Sequence, residues 1–79
     1  MTNDQLRAAL RELNGERDLE IAFAGLAPPG PHAGASHLLV RHAMLIPDEP
    51  DHLVKVTDGK AIFIVDAERV AWIRIGLKN

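Results

Sequence analysis

Two short apolar segments in the last third of the chain leave few choices of fold. Residues 61–65 read AIFIV and residues 70–75 read VAWIRI, and only the four residues DAER separate them. Successive side chains of an extended chain point to opposite faces, so each segment predicts a strand that is apolar on both sides. Four residues permit a tight turn or a single 3₁₀ turn but no crossover to a parallel strand. We therefore expect antiparallel strands, with Phe63 and Ile73 in the core.

Upstream of this pair, three more strands and one helix are predicted. Residues 18–24, DLEIAFA, alternate apolar and polar side chains, which is typical of a strand with one buried face. Residues 37–46 are apolar on both faces, with Leu38, Val40 and Met44 sharing one of them, so this strand is expected to be central. Asp58-Gly59 between two β-rich runs predicts a hairpin turn. The expected elements are a helix at about 3–14 and strands at about 18–24, 37–46, 52–58, 60–66 and 69–76.

The helix prediction depends on end signals and on a single apolar stripe. Thr2 followed by Gln5 fits a capping box. Gly15 is expected to terminate the helix, because glycine enters the left-handed conformation without steric cost. The stripe, at positions i, i+3, i+4 and i+7, consists of Leu6, Ala9, Leu10 and Leu13. We expect this stripe to pack on the sheet, in preference to binding a partner.

A segment rich in proline and glycine separates the first two predicted strands. Residues 25–36 read GLAPPGPHAGAS and contain three prolines and three glycines. This composition maintains neither a helix nor a strand ladder, so an exposed loop is expected. Loops of about a dozen residues are often functional or disordered. We predict a flexible loop at 25–36.

Length and composition narrow the classes of function. The 79 residues, 47% of them hydrophobic, describe one domain (1–79) with a small core. The absence of cysteine excludes disulfides and thiol chemistry, which leaves self-association as a means of stabilisation. A net charge of −2 gives no overall attraction to phosphate backbones or anionic membranes. No apolar run approaches the roughly 18 residues of a membrane span, and the first ten residues lack signal-peptide features. A cytoplasmic protein without a membrane partner is expected.

The chain shows no motif for catalysis or metal binding. His37 and His42 are five positions apart on one predicted strand and are expected on opposite faces. His52 follows the acidic turn at residues 48–51, but a flexible Pro-Asp turn presets no metal geometry. There is no Gly-x-Ser-x-Gly elbow and no glycine-rich phosphate loop. We predict no catalytic residue, no metal site and no cofactor, and a metal-dependent enzyme ranks third among the functions considered.

The predicted order of one helix and five antiparallel strands resembles the Sm-like fold of the Sm, LSm and Hfq proteins. The clearest match, Ala61 to Ile75, is similar to the Sm2 motif, two apolar strands joined by a very short turn that carries the edge used for subunit pairing. Such strands are expected to form a strongly bent sheet or a small Sm-like or SH3-like barrel. Val65 and Asp66 stand where Sm2 usually has a basic residue followed by glycine, so this part of the family's base-binding motif is not reproduced.

The expected function is that of a small bacterial-type binding or scaffolding domain, not an enzyme, that self-associates through strand edges. The candidate interface residues are Val70, Trp72 and Arg74, expected on one face of a strand whose only charge is Arg74. Pairing of this strand with the first strand of the same chain is the alternative use of its edge. The expected partner is a second copy or another protein. An Sm-like RNA-binding protein is the alternative function, although Trp72 is expected in the core or an interface rather than exposed for stacking.

Overall fold

The computed structural model describes residues 1–24 and 37–77, in which one helix and five antiparallel strands are present. A single 3₁₀ turn, Ala67–Arg69, joins the last two strands. The elements are α1 (Asn3–Leu10), β1 (Arg17–Phe23), β2 (His37–Leu45), β3 (Val54–Thr57), β4 (Ile62–Val65) and β5 (Val70–Ile75). The fold is mainly β with an N-terminal helix, as the sequence predicts. Residues 25–36, predicted to form a flexible loop, lie outside the described residues.

Helix α1 begins with the predicted capping box. The Thr2 hydroxyl accepts a hydrogen bond from the Gln5 backbone N–H at 3.1 Å, and the Gln5 side chain accepts one from the Thr2 N–H at 3.0 Å. Two backbone donors that the first turn leaves free are thus satisfied by one short sequence signal.

The helix ends at Leu10, earlier than the predicted end near residue 14. The Leu13 N–H donates to the Leu10 carbonyl at 3.0 Å, a 3₁₀-type bond that tightens the chain after the helix. Gly15 has a φ of 84°, in the left-handed region, and its N–H donates to the Ala43 carbonyl at 3.0 Å. Gly15 therefore connects the helical region to the sheet instead of capping the helix directly.

The five strands form one open sheet in the order β4-β3-β2-β1-β5. The first four strands pair with their sequence neighbours, whereas β5 returns to β1, with Leu19 opposite Ile75. Gly76 N–H donates to the Asp18 carbonyl at 2.8 Å and closes one end of this pairing. Within residues 1–24 and 37–77 no ladder joins β4 to β5, so the sheet is not closed and the predicted small barrel is wrong. Pairing of the last strand with the first is the alternative that the sequence left open.

A β-bulge in β2 disturbs the regular pairing. Between the pairs Leu19–Val40 and Arg17–Ala43, β2 carries one residue more than β1. His42 has a φ of 48° at this point. Because a bulge increases the local twist and bends its strand, β2 can pair with β1 along most of its length and with β3 at its end.

The bulge also reverses the faces of the second part of β2. Val40 and Ala43 are both buried, while Met44 is 48% exposed. The prediction that Met44 shares the face of Val40 is therefore wrong, because strict alternation makes no allowance for an inserted residue. His37 and His42, predicted on opposite faces, are both exposed.

The core lies between α1 and the inner face of the sheet. Its largest fully buried side chains are Leu6, Leu10, Leu19, Ile21, Val40, Val54 and Val56. The apolar stripe of the helix thus packs on the sheet, as predicted. Phe63 and Ile73 lie on the two outermost strands and pack against this core, but they are only partly buried. In the part of the chain that the structure describes, no helix combines the length and apolar character needed to cross a membrane.

Candidate sheet-edge interface

Strand β5 has a free edge. It pairs with β1 on one side, and no strand of the described residues lies on its other side. Trp72 is 45% exposed, and the Arg74 side chain is 74% exposed. An edge strand presents unpaired N–H and C=O groups that can add another strand. This edge is therefore the first candidate interface.

Val70 does not share the face of Trp72. The pairs Ala22–Trp72 and Phe23–Val70 leave Ala71 as an extra residue of β5, which forms a second bulge. Val70 consequently turns inward and is only 7% exposed. Val70 belongs to the core, and Trp72 and Arg74 remain on the outer face.

The outer face around Trp72 is organised by Glu20 of β1. Its carboxylate lies 3.0 Å from Arg74 Nη2 and 3.5 Å from His37 Nδ1, so it bridges the neighbouring strands β5 and β2. The rings of His37 and Trp72 are 5.5 Å apart at an interplanar angle of 83°, an edge-to-face contact. Trp72 is thus held in place by its neighbours while almost half of it faces solvent.

A groove of about 560 Å³ runs beside this cluster and is lined by Glu20, Leu39, Arg41, Arg74 and Leu77, among others. Arg41 Nη1 lies 3.3 Å from the Asp18 carboxylate, and Arg74 pairs with Glu20. Each guanidinium of the groove therefore already has a carboxylate partner. A surface of paired charges and apolar side chains suits a protein partner better than a string of phosphates.

Strand β4 is the opposite edge of the sheet. Ile62 and Ile64 lie on its outer face and are each 62% exposed. This strand was not predicted from the sequence as an interface. The available signal was the second apolar face of residues 60–66, since one helix can cover only one face of a sheet.

The acidic turn between β2 and β3 is held by cations of the chain itself. Arg7 Nη2 lies 3.3 Å from Asp48, and Lys55 Nζ lies 2.8 Å from Glu49 and 2.7 Å from Asp51. The hydrogen bond from Lys55 holds the pKa of the Asp51 carboxyl below its usual value, and the same pair raises the pKa of Lys55. Among residues 1–24 and 37–77, no group of three or more histidine or acidic side chains is arranged to hold a metal ion.

The edges of β4 and β5 and the cluster around Trp72 are thus the candidate interaction surfaces of the described residues. No family model matches the chain, and neither does a curated protein or a solved structure.

Proposed function

We propose that this chain is a small cytoplasmic binding or scaffolding domain, not an enzyme, that self-associates through the free edge of β5. The observation that carries the proposal is that Trp72 is 45% exposed on a strand that, among residues 1–24 and 37–77, is paired on one side only. Addition of a strand from a second copy would satisfy the edge backbone groups and cover the indole. Arg74 is the only charge of the strand, and the strand contains no proline to oppose pairing.

An Sm-like architecture, in the form of an open bent sheet, is part of this proposal. Its support is the helix before the first strand, the pairing of β5 with β1, and the 3₁₀ turn Ala67–Arg69 between β4 and β5. In the Sm2-like segment, Ala61 to Ile75, both strands then lie at opposite edges of one sheet. Self-association through strand edges follows from that placement.

Sedimentation velocity across the micromolar range tests the proposal. We expect the weight-average sedimentation coefficient of the wild type to rise with concentration and that of Trp72→Glu to rise less. Leu53→Glu is the matched control, because Leu53 is 44% exposed but lies outside β5. A wild type that sediments as a monomer at every concentration contradicts self-association. A Trp72→Glu variant that behaves like the wild type contradicts the role of β5.

RNA binding is the second candidate, and the exposure of Trp72 favours it. Single-stranded nucleic acid binds to surfaces on which exposed aromatic rings lie among basic side chains. Trp72 contacts His37, and Arg41 and Arg74 line the adjacent groove. Self-association ranks first because both arginines are paired with carboxylates.

The two candidates differ in their response to salt. Trp72 is the single tryptophan of the chain, so its fluorescence reports on this surface alone. Quenching by a single-stranded RNA oligonucleotide that disappears between low and physiological salt indicates phosphate contacts. A concentration-dependent emission change without RNA, unaltered by salt, indicates an apolar interface between copies.

A further inference from the structure

Strand β4 offers a regular edge, unlike β5. Its four residues pair with β3 without a bulge, from Ile62 opposite Thr57 to Val65 opposite Val54. No strand of the described residues lies on its other side. Ile62 and Ile64 are each 62% exposed and are the most exposed large apolar side chains within the strands. A regular, uncharged edge next to an apolar outer face is a template for strand pairing.

The sequence around β4 is complementary to the same sequence of a second copy when the two strands run antiparallel. If two copies are aligned antiparallel about Phe63, Ile62 of each copy faces Ile64 of the other. The same alignment brings Lys60, in the turn before β4, to the end of the pairing where Asp66 of the other copy follows the strand. Cross-strand apolar pairs and opposite charges both stabilise a sheet, and twofold symmetry makes each pair occur twice.

Asp66 is suited to this position by its own contacts. Its side chain accepts a hydrogen bond from the Glu68 backbone N–H at 3.1 Å and lies 3.5 Å from Arg69 Nε. These contacts fix the carboxylate immediately after the last residue of β4, and its side chain remains 58% exposed. Lys60 is exposed before the first residue of the strand.

We propose that β4 forms a second interface, distinct from β5, in which two copies of this chain pair antiparallel about a twofold axis at Phe63. The occupant of this edge is thus β4 of another copy. The inference goes beyond the proposed function, because none of its residues belongs to β5. If both interfaces form, each copy has two neighbours, and the sheets continue from one copy to the next.

Pairing of β4 with β5 of another copy gives fewer favourable side-chain pairs than pairing of β4 with β4. With Trp72 opposite Ile64, Arg74 faces Ile62 and the charges at the ends of β4 have no partner. With Trp72 opposite Ile62, Arg74 faces Lys60, and like charges directly opposite each other destabilise a sheet. The extra residue Ala71 also interrupts the regular pairing pattern of β5.

Disulfide trapping tests the register directly, because the chain contains no cysteine. The full-length variants Ile62→Cys and Ile64→Cys are oxidised separately and as an equal mixture. The Cα atoms of directly opposed positions are about 4.5–5.5 Å apart, a distance that a disulfide can span. The Cα atoms of diagonal positions on the same face are roughly 7–8 Å apart, which is too far. We expect the mixture to yield several-fold more dimer than either variant alone. Equal yields in all three samples, or no dimer, would overturn the proposal.

Two controls separate this interface from that of β5. Leu39→Cys mixed with Ile64→Cys should give little dimer, since Leu39 is 51% exposed but lies on the internal strand β2. Adding Trp72→Glu to both cysteine variants should leave the dimer yield unchanged. A loss of dimer, or efficient trapping of Arg74→Cys with Ile62→Cys, would show pairing of β4 with β5, which overturns this inference and supports the proposed function.

The charged pair provides an independent readout. Lys60→Glu in both cysteine variants places a second carboxylate near Asp66 of the other copy, so the dimer yield should fall several-fold and recover at high salt. Arg11→Glu is the matched control, because Arg11 is also exposed and is the C-cap residue of the helix, outside β4. An unchanged yield in Lys60→Glu would contradict the register.

Discussion

The inner and outer faces of this sheet are built from the same strands but are completed differently. The inner face is covered by α1, whose Leu6 and Leu10 are fully buried there. The outer face leaves several large apolar side chains at 45–62% exposure, namely Leu39, Met44, Ile62, Ile64 and Trp72. One helix of eight residues can cover only one face of the sheet. The difference indicates that stability is concentrated on the inner face, and that the outer face and edges are available for association.

The largest effect that this comparison predicts is on the free energy of unfolding. Leu10→Ala removes a fully buried side chain from the inner face and should cost roughly 2–5 kcal/mol. Leu39→Ala removes the same atoms from the outer face and should cost no more than about 0.5 kcal/mol. Urea unfolding of the two variants at one protein concentration measures the difference. Similar losses in both would mean that the outer face is as important for stability as the core.

A smaller loss of folding stability is expected where side-chain contacts attach the helix to the acidic turn. Arg7, with its side chain only 10% exposed, donates to the His52 carbonyl at 3.1 Å and lies 3.3 Å from Asp48. Arg7→Ala removes this donor and should cost about 1–3 kcal/mol. Arg11→Ala is the control, because it deletes an exposed arginine from the same region. If thermal unfolding midpoints of the two variants coincide, the attachment contributes nothing measurable.

The helix that completes the inner face also depends on its cap. Thr2→Ala removes the hydroxyl that accepts from Gln5 and should cost about 0.5–2 kcal/mol. Thr2→Ser keeps the acceptor and should stay close to the wild type. Circular dichroism during urea unfolding compares the three proteins. An alanine variant as stable as the serine variant would show that packing alone holds α1 in place.

The smallest effect concerns the exposed turns, where the charges are screened by solvent. Backbone N–H groups of Ala61 and Lys60 donate to the Asp58 carboxylate at 2.9 and 2.8 Å and hold the pKa of this group below its usual value. Because the folded pKa is lowered, this contribution is present above the pKa of the unfolded chain and is lost as the pH falls through the folded pKa.

A carboxyl titration by nuclear magnetic resonance checks this expectation. The midpoint of Asp58 should lie below the usual aspartate value of about 3.9. The midpoint of Asp51 should also be low, and Lys55→Met should raise it, because Lys55 donates the hydrogen bond that lowers it. A normal midpoint for Asp58 would mean that the turn is open in solution.

The order and type of the elements could be predicted because their signals are local. The Thr2 and Gln5 cap, the Asp58-Gly59 hairpin and the short turn before Val70 each depend on a few neighbouring residues. The helix stripe is equally local, although the helix end was placed too late. Its final turn tightens beyond Leu10 through contacts that no sequence period records.

The candidate interface could be predicted only in part. The phase of an alternating pattern holds until a residue is inserted, and the bulges in β2 and β5 appear only when each strand is compared with its partner. Met44 and Val70 were assigned to the wrong faces for this reason. The edge position of β4 could not be predicted from the sequence either, because it depends on β5 pairing with β1 rather than with β4.

The position of β5 beside β1 also has a kinetic consequence. The hairpins of β1 to β4 join neighbours in sequence, whereas Leu19 must find Ile75 across most of the chain. Pairings between residues far apart in sequence close slowly, because the loop entropy is lost before the contact forms. During refolding, β1 is therefore expected to have an open edge until the last strand arrives. In that interval the internal strand β1 has an open edge of the kind that, among the described residues, the folded sheet has at β4 and β5.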